Sequence, residues 1–211
     1  MQIVDAHFMI ESDIKGHDIL AFIEKVGRTA YKSEDRVTSS SAHTFVGRLV
    51  KHGHLAVIEH VTVTVRIFCD RGVSHEIVRH RLASYCQEST RYCNYSRDKF
   101  GNEICVVRPC FWNPENPEDK RKIMAWENAM RTAEKAYFEL LTLGASPQEA
   151  RSVLPNSLKT EIVVTMNLRE WRNFFQLRAA SDAHPQMQEI AIPLLAEFQQ
   201  RIPVVFDDLS A

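Results

Sequence analysis

The chain has 211 residues, 45% of them apolar and 25% charged, with a formal net charge of −1. At about 150 residues per domain that is the length of one domain spanning 1–211, and seven glycines and eight prolines exclude a collagenous or Pro/Gly-rich disordered chain. The balance of 26 basic and 27 acidic residues argues against a general nucleic-acid binder, which must neutralise many phosphates, but leaves room for one small anion.

The first helix is expected over about 17–31, where Ile19, Phe22, Ile23 and Val26 recur at helical spacing. A second follows over 40–52, with Ser39 or Ser40 as cap, a stripe of Phe45, Val46, Leu49 and Val50, and Gly53 as its stop. Val61, Val63, Val65 and Ile67 alternate with Thr62, Thr64 and Arg66, which is the pattern of a half-buried strand. A third helix is predicted over 73–85, then the polar stretch 87–91, a short strand at 103–108 and a long helix over 117–143 that ends at Gly144. Ser146-Pro147-Gln148-Glu149 reads as a fresh helix start, with a Ser cap, Pro at the first position and Glu three residues after the cap; that helix should end near Pro155. Residues 159–166 read as a strand, 168–179 as a helix and 185–201 as a last helix with Pro193 inside. The elements lack a regular βαβ rhythm, so an α+β fold with helices packed on a largely antiparallel sheet is expected. No apolar run reaches the roughly eighteen residues of a membrane span, and no secretory leader is visible. The expected location is the cytoplasm, away from membranes.

Neither GxGxxG nor GxxxxGK[ST] occurs, so a nucleotide or flavin would not be held by a Rossmann or P-loop motif. His75 and His80 are five residues apart rather than the four that a zinc-protease helix requires, and no metal is expected there. Five cysteines, an odd number without a CxxC pair, fit neither a disulfide framework nor a zinc ribbon, and reduced thiols with packing roles are expected. On a helical wheel of 73–85, Val73, Ile77, Val78, Leu82 and Tyr85 share one half with Arg81 among them, while His75, Glu76 and Arg79 lie opposite. A charge aimed at a core must pair with a buried carboxylate or meet a ligand, and both readings of Arg81 stand. Helix 168–179 repeats the pattern, with Arg178 in the arc of Trp171, Phe174 and Phe175, and with Arg169 and Asn173 on the polar face at i, i+4. Ser89 and Arg91 supply a hydroxyl, a guanidinium and loop amides within three residues, a combination suited to phosphate. His52-Gly53-His54, with Glu59 and His60, marks a helix–strand junction where capping and ligand contact are both open.

Arg79-His80-Arg81-Leu82-Ala83-Ser84 followed by Ser89-Thr90-Arg91-Tyr92 resembles the signature of the flavin-dependent thymidylate synthases, Arg-His-Arg-x-x-Ser and then Ser-x-Arg-Tyr. The resemblance extends in order to His52-Gly53-His54 through His60, to Arg151-Ser152-Val153-Leu154-Pro155, and to Asn167 through Arg178, covering about residues 20–190. It implies a homotetramer with active sites between subunits and FAD bound across the interface. The implied reaction converts dUMP to dTMP, with methylenetetrahydrofolate as carbon donor, NADPH as reductant and reduced flavin as the hydride source. The cofactor set it implies is Arg79, His80, Arg81, Asn167, Arg169 and Asn173, with Glu59 and Cys86 near the flavin and His54 where folate or nicotinamide stacks. Ser89 and Arg91 would bind the dUMP phosphate, with Arg151 reaching it from a neighbour. Arg178 and the Leu177 backbone would grip the uracil, and Glu76 and Gln87 would lie along the nucleotide. Arg178, Ser89 and His54 are the implied catalytic residues, and no cysteine serves as nucleophile.

Cys86 stands where the family commonly has asparagine, Gln87 where it has glutamate, Glu76 where it often has glutamine, and Ala56 where it often has a hydroxyl residue. A carboxylate at 76 bears on base preference, so a flavin-dependent pyrimidine methylase or hydroxymethylase acting on another base is the alternative enzyme. Outside that class stand a noncatalytic nucleotide-binding protein and a nucleic-acid module built on Arg79, Arg81, Arg91 and Arg97. The balanced charge speaks against the last.

Overall fold

Alternation in the sequence becomes alternation of burial along two long strands. The computed structural model describes residues 1–210. In chain order its elements are β1 (Gln2–Val4), β2 (His7–Ile10), α1 (Gly16–Thr29), α2 (Ser41–Lys51), β3 (Thr62–Asp70), α3 (Arg71–Ile77), β4 (Ala83–Gln87), β5 (Cys105–Val107), α4 (Pro117–Thr142), α5 (Pro147–Ala150), β6 (Lys159–Asn167), α6 (Leu168–Arg178) and α7 (Pro185–Arg201). Val63, Val65, Ile67 and Cys69 of β3 are buried, as are Thr160, Ile162, Val164 and Met166 of β6, while the residues between them are not. The main sheet is antiparallel with strand order β2-β3-β6-β4, and β1 and β5 form a separate parallel pair with Ile3 opposite Val106. The α+β class expected from the sequence is therefore the observed one.

The chain forms two compact units. The first comprises residues 1–7, 67–79 and 86–162, and the second 8–66, 80–85 and 163–211. In the first, Tyr95, Ile104, Val106, Met130, Tyr137, Ala150 and Leu158 form the core. Asn116 starts α4 by accepting from the Glu118 amide at 2.8 Å. Ser146 donates to Glu149 Oε2 through both its amide (2.7 Å) and its hydroxyl (2.6 Å), the fresh start read from the sequence. The helix that follows is shorter than predicted: α5 closes at Ala150, and a single 3₁₀ turn carries the chain on to Val153.

In the second unit, Trp171 contacts Phe174, Phe175 and Phe198, and Phe206 closes the cluster against Phe175 and Phe198. Trp171 also donates its indole N–H to the Val63 carbonyl at 3.0 Å, which locks α6 to the strand beside it. Helices α1 and α2 pack closely because residue 27 is glycine: a Cβ there would lie 2.8 Å from the Phe45 ring. Arg172 is buried and donates to the Val205 carbonyl and to both oxygens of Asp208, pinning the chain after α7.

The largest departure from the sequence reading lies at 73–85. Helix α3 stops at Ile77, and residues 83–87 are strand β4. Val78 and Leu82, counted as an apolar stripe, are 41% and 72% exposed. Strand β4 joins the sheet, and just beyond it Glu88 donates its amide to the Glu161 carbonyl at 2.8 Å. Tertiary pairing has overridden the helical pattern of a stretch without Gly or Pro to mark its end.

Candidate active site

Both central strands run directly into a helix through a side-chain cap. Asp70 Oδ1 accepts from the Val73 amide at 2.7 Å, and Asn167 Oδ1 from the Glu170 amide at 2.9 Å. Each cap satisfies an amide that the first helical turn leaves without a partner. The helices so positioned carry, or lead into, most of the motif residues.

In the second unit a polar chain links α6 to His80. Asn173 Nδ2 donates to Glu170 Oε1 (3.2 Å), His80 Nδ1 donates to the same oxygen (3.1 Å), and Arg178 Nε donates to His80 Nε2 (3.1 Å). His80 is 4% and Glu170 7% exposed. The imidazole rests against Phe174 with ring centres 5.1 Å apart, and the Tyr85 hydroxyl donates to the His80 carbonyl at 2.5 Å. Burial holds the His80 pKa below its ordinary value, outweighing the hydrogen bond to Glu170, and the Arg178 charge acts in the same direction as burial. The ring is therefore neutral at pH 7. Burial likewise pushes the Tyr85 hydroxyl up to about 12, so it stays a donor.

Beside this chain a cleft of about 500 Å³ is lined by Glu59, Asn167, Arg169, Glu170 and Asn173 among others. Arg169 Nη1 donates to Glu59 Oε1 at 2.5 Å, but both side chains are about half exposed, at 54% and 42%. Such a surface pair contributes about 0–1 kcal/mol, so an anionic group entering the cleft can displace it.

In the first unit the turn after β4 brings Ser89 and Arg91 together. The Arg91 amide donates to Ser89 Oγ at 3.3 Å, and the Tyr92 and Cys93 amides donate to the Ser89 carbonyl at 3.1 and 2.9 Å. Glu88 anchors the turn from below, accepting from the Tyr95 hydroxyl at 2.9 Å and from Lys159 Nζ at 3.0 Å. Arg91 Nε donates to Gln148 at 3.2 Å, which draws its guanidinium toward the segment that ends in the exposed Arg151. Gln87 Nε2 donates to Ser74 Oγ (2.9 Å) and Thr160 Oγ1 (3.2 Å), so its amide hydrogens are engaged inside the unit.

Several sequence expectations change here. Arg81 is exposed, and the residue of the Arg-His-Arg triplet that turns inward is His80. The wheel placed Arg81 inward because it assumed a helix that ends four residues earlier. Cys86 is exposed on β4 rather than packed at a helix end, and Cys110 is exposed too; packing roles fit Cys69, which is buried, and in part Cys93 and Cys105. Burial raises the pKa of the Cys69, Cys93 and Cys105 thiols, the reverse of what activates a nucleophile. His52 caps α2, its Nδ1 donating to the Arg48 carbonyl at 2.7 Å, and Gly53 at φ +74° takes the left-handed turn that follows. His54, Glu76, Arg79 and Leu177 complete the motif positions: His54 and Arg79 are exposed, Glu76 is half-buried, and Leu177 is 55% exposed on the last turn of α6. Sequence reasoning missed Glu170 and Gln148. Glu170 stands three residues after Asn167, a spacing that reads as a capping box; its carboxylate instead reaches across to His80.

The structure is thus an α+β protein without a dinucleotide or P-loop fingerprint. The family model described as thymidylate synthase complementing protein matches residues 15–204. A flavin-dependent thymidylate synthase of Pyrococcus furiosus is 33% identical over 183 residues, covering 86% of this chain and 72% of the relative. One of Geobacter sulfurreducens is 33% identical over 175 residues, covering 82% and 72%. The chain belongs to the flavin-dependent thymidylate synthase family. Its fold is similar to that of a UMP/dUMP methylase, PolB of Streptomyces cacaoi, solved with 5-Br dUMP, at a TM-score of 0.81, 18% identity and coverage of 98% of this chain and 96% of that one.

Proposed function

We propose that the chain catalyses the reductive methylation of dUMP to dTMP, with methylenetetrahydrofolate as carbon donor and FAD reduced by NADPH as the source of hydride. The observation that carries this reading is Arg178, held at Nε by a buried neutral histidine at the end of a motif-bearing helix. A guanidinium fixed in this way is preorganised to polarise a uracil carbonyl and to stabilise negative charge as the ring is attacked. Leu177 lies inside α6, so its N–H belongs to the helical ladder and its carbonyl is the backbone group that the helix end offers.

The donor set fits FAD. No hydrogen bond or ion pair to the Arg79 or Arg81 side chain occurs among the described residues, and both are exposed, as a polyanionic ligand requires. Asn167, Arg169, Asn173 and Glu59 line the cleft, and His80 closes the polar chain behind it. Cys86 and His54 complete the proposed flavin surroundings, with His54 toward the folate or nicotinamide. Bound and reduced, the flavin supplies the hydride. In this reading Ser89 and Arg91 take the dUMP phosphate, with Arg151 reaching it from a neighbouring subunit of a homotetramer, while Glu76 and Gln87 lie along the nucleotide. No thiol attacks the ring, in keeping with the raised Cys69, Cys93 and Cys105.

The test supplies FAD, NADPH and methylenetetrahydrofolate with dUMP, UMP or dCMP, to the native chain and to a variant with all five cysteines replaced. Formation of dTMP by both proteins is expected. Methylation of another base alone would favour the second enzyme reading, for which Glu76 at a position usually occupied by glutamine is the motive. A protein that binds FAD and dUMP but forms no product would be a binding protein, and loss of turnover with the cysteines would overturn the mechanism.

A further inference from the structure

The chain Asn173–Glu170–His80–Arg178 contains one carboxylate with no role in the reading above. A guanidinium has only donors. Because Arg178 Nε lies 3.1 Å from His80 Nε2, that ring nitrogen must carry a lone pair. In a neutral ring the proton is then on Nδ1, and the atom facing it is Glu170 Oε1 at 3.1 Å. The opposite tautomer would set N–H against N–H at Arg178 and a lone pair against a carboxylate at Glu170. Glu170 is itself held in place: its carboxylate accepts from Asn173 at 3.2 Å, its backbone amide donates to the Asn167 cap at 2.9 Å, and the residue is 7% exposed.

We propose that Glu170 is a positioning residue that fixes His80 in its Nδ1–H form and so makes Nε2 the acceptor that aims the Arg178 guanidinium at the pyrimidine. Glu170 does not touch the substrate; it acts through His80, as the carboxylate partners of functional histidines do elsewhere. The aim at the pyrimidine rests on the role given to Arg178 above, whereas the hold on His80 rests on geometry alone.

Two measurements test it. The first needs no substrate: ¹⁵N-histidine-labelled, FAD-loaded protein is examined by NMR at neutral pH, with the His80 signals identified by their loss in His80→Gln. A protonated Nδ1 with a bare Nε2 is expected in the native chain, and a mixture of tautomers in Glu170→Ala. An Nε2–H or doubly protonated ring in the native chain would overturn the proposal.

The second is equilibrium binding of dUMP to the FAD-loaded protein. Glu170→Ala is expected to weaken dUMP roughly tenfold, the loss of about one well-made hydrogen bond to a charged group. Glu170→Gln should recover most of that, because its amide oxygen can still accept from Nδ1. Glu170→Ala combined with Arg178→Ala should bind no more weakly than Arg178→Ala alone. Losses that multiply in the double variant, or native affinity in Glu170→Ala, overturn the proposal. If Glu170→Ala does not fold, Glu170→Gln completes the same cycle, its smaller loss again vanishing beside Arg178→Ala. An Nδ1–H ring in a protein that binds no dUMP removes the pyrimidine from the role of Arg178; an Nε2–H ring in a protein that methylates dUMP removes the positioning role alone.

Discussion

Arg91 and Arg178 are both assigned to the nucleotide, yet they are held in different ways. Arg91 lies on the surface, its Nε on the Gln148 amide at 3.2 Å and its guanidinium 5.2 Å from the Tyr92 ring, so it can turn toward a phosphate at little cost. Arg178 is half-buried and fixed by a neutral imidazole, so its direction is set before any ligand arrives. Arg91→Ala is therefore expected to raise the dissociation constant for dUMP about tenfold or more, the loss of one charge-assisted hydrogen bond worth about 1.5–3 kcal/mol. The constant for FAD should change much less in parallel titrations, and equal weakening of both ligands would make Arg91 structural. His80 adds a pH dependence to stability. Glu170 and Arg178 face its ring and Tyr85 its carbonyl, and burial holds its pKa below the unfolded value near 6.5. Between the folded and unfolded pKa the unfolded chain binds the extra proton, so stability rises with pH across that window and falls as the solution is acidified below about 6.5. Thermal melts should lose Tm over that range in the native chain, and the loss should flatten in His80→Gln. An unchanged slope would show that the imidazole charges without disturbing the fold.

Asn167 belongs to two descriptions at once, as the cap of α6 and as a proposed contact of FAD. The two can be separated because capping needs only a side-chain oxygen. Asn167→Ala should destabilise the protein by about 1 kcal/mol, read by denaturant unfolding, and Asn167→Asp should restore that stability. If the side-chain amide also donates to the flavin, Asn167→Asp should still bind FAD more weakly; full recovery of both would leave only the cap. Caps also explain what the sequence disclosed. The strand at 61–67 was legible from its period-two alternation, and the long helix and the one after it from the stop at Gly144 and the fresh start at Ser146-Pro147. The end of α3 was not legible, because the stretch from Val78 to Tyr85 satisfies a helical wheel and contains no breaker. What ends the helix is a distant partner: His80 is drawn under Phe174 and onto Glu170, ninety residues away in sequence. The same cause hid part of the site. Arg178 and Asn173 could be nominated from α6 alone, but Glu170 was not singled out, because what gives it a role is His80, on a loop ninety residues away.

At the scale of the whole molecule, the residues assigned to phosphate and those assigned to the pyrimidine fall in different compact units. Ser89, Arg91 and Arg151 belong to the first; Leu177 and Arg178 belong to the second. A homotetramer that builds each site from more than one subunit is the assembly proposed for them, and it makes a quantitative claim. Arg151→Ala and Arg178→Ala should each be nearly inactive when pure, because every site then lacks one residue. Suppose the two variants are unfolded together, or dissociated, and reassembled in equal amounts. If Arg151 comes to a site from one subunit and Arg178 from another, random assembly gives roughly a quarter of the sites both native residues. Those sites should turn over at the native rate, so the mixture should recover about a quarter of native activity while each variant alone does not. If a single chain supplied both residues, every site would still lack one of them in any mixture, and no activity would return. Differently tagged chains, co-purified through both tags, establish that mixed tetramers have formed, and inactivity in that material would remove the shared site while leaving the reaction itself untouched.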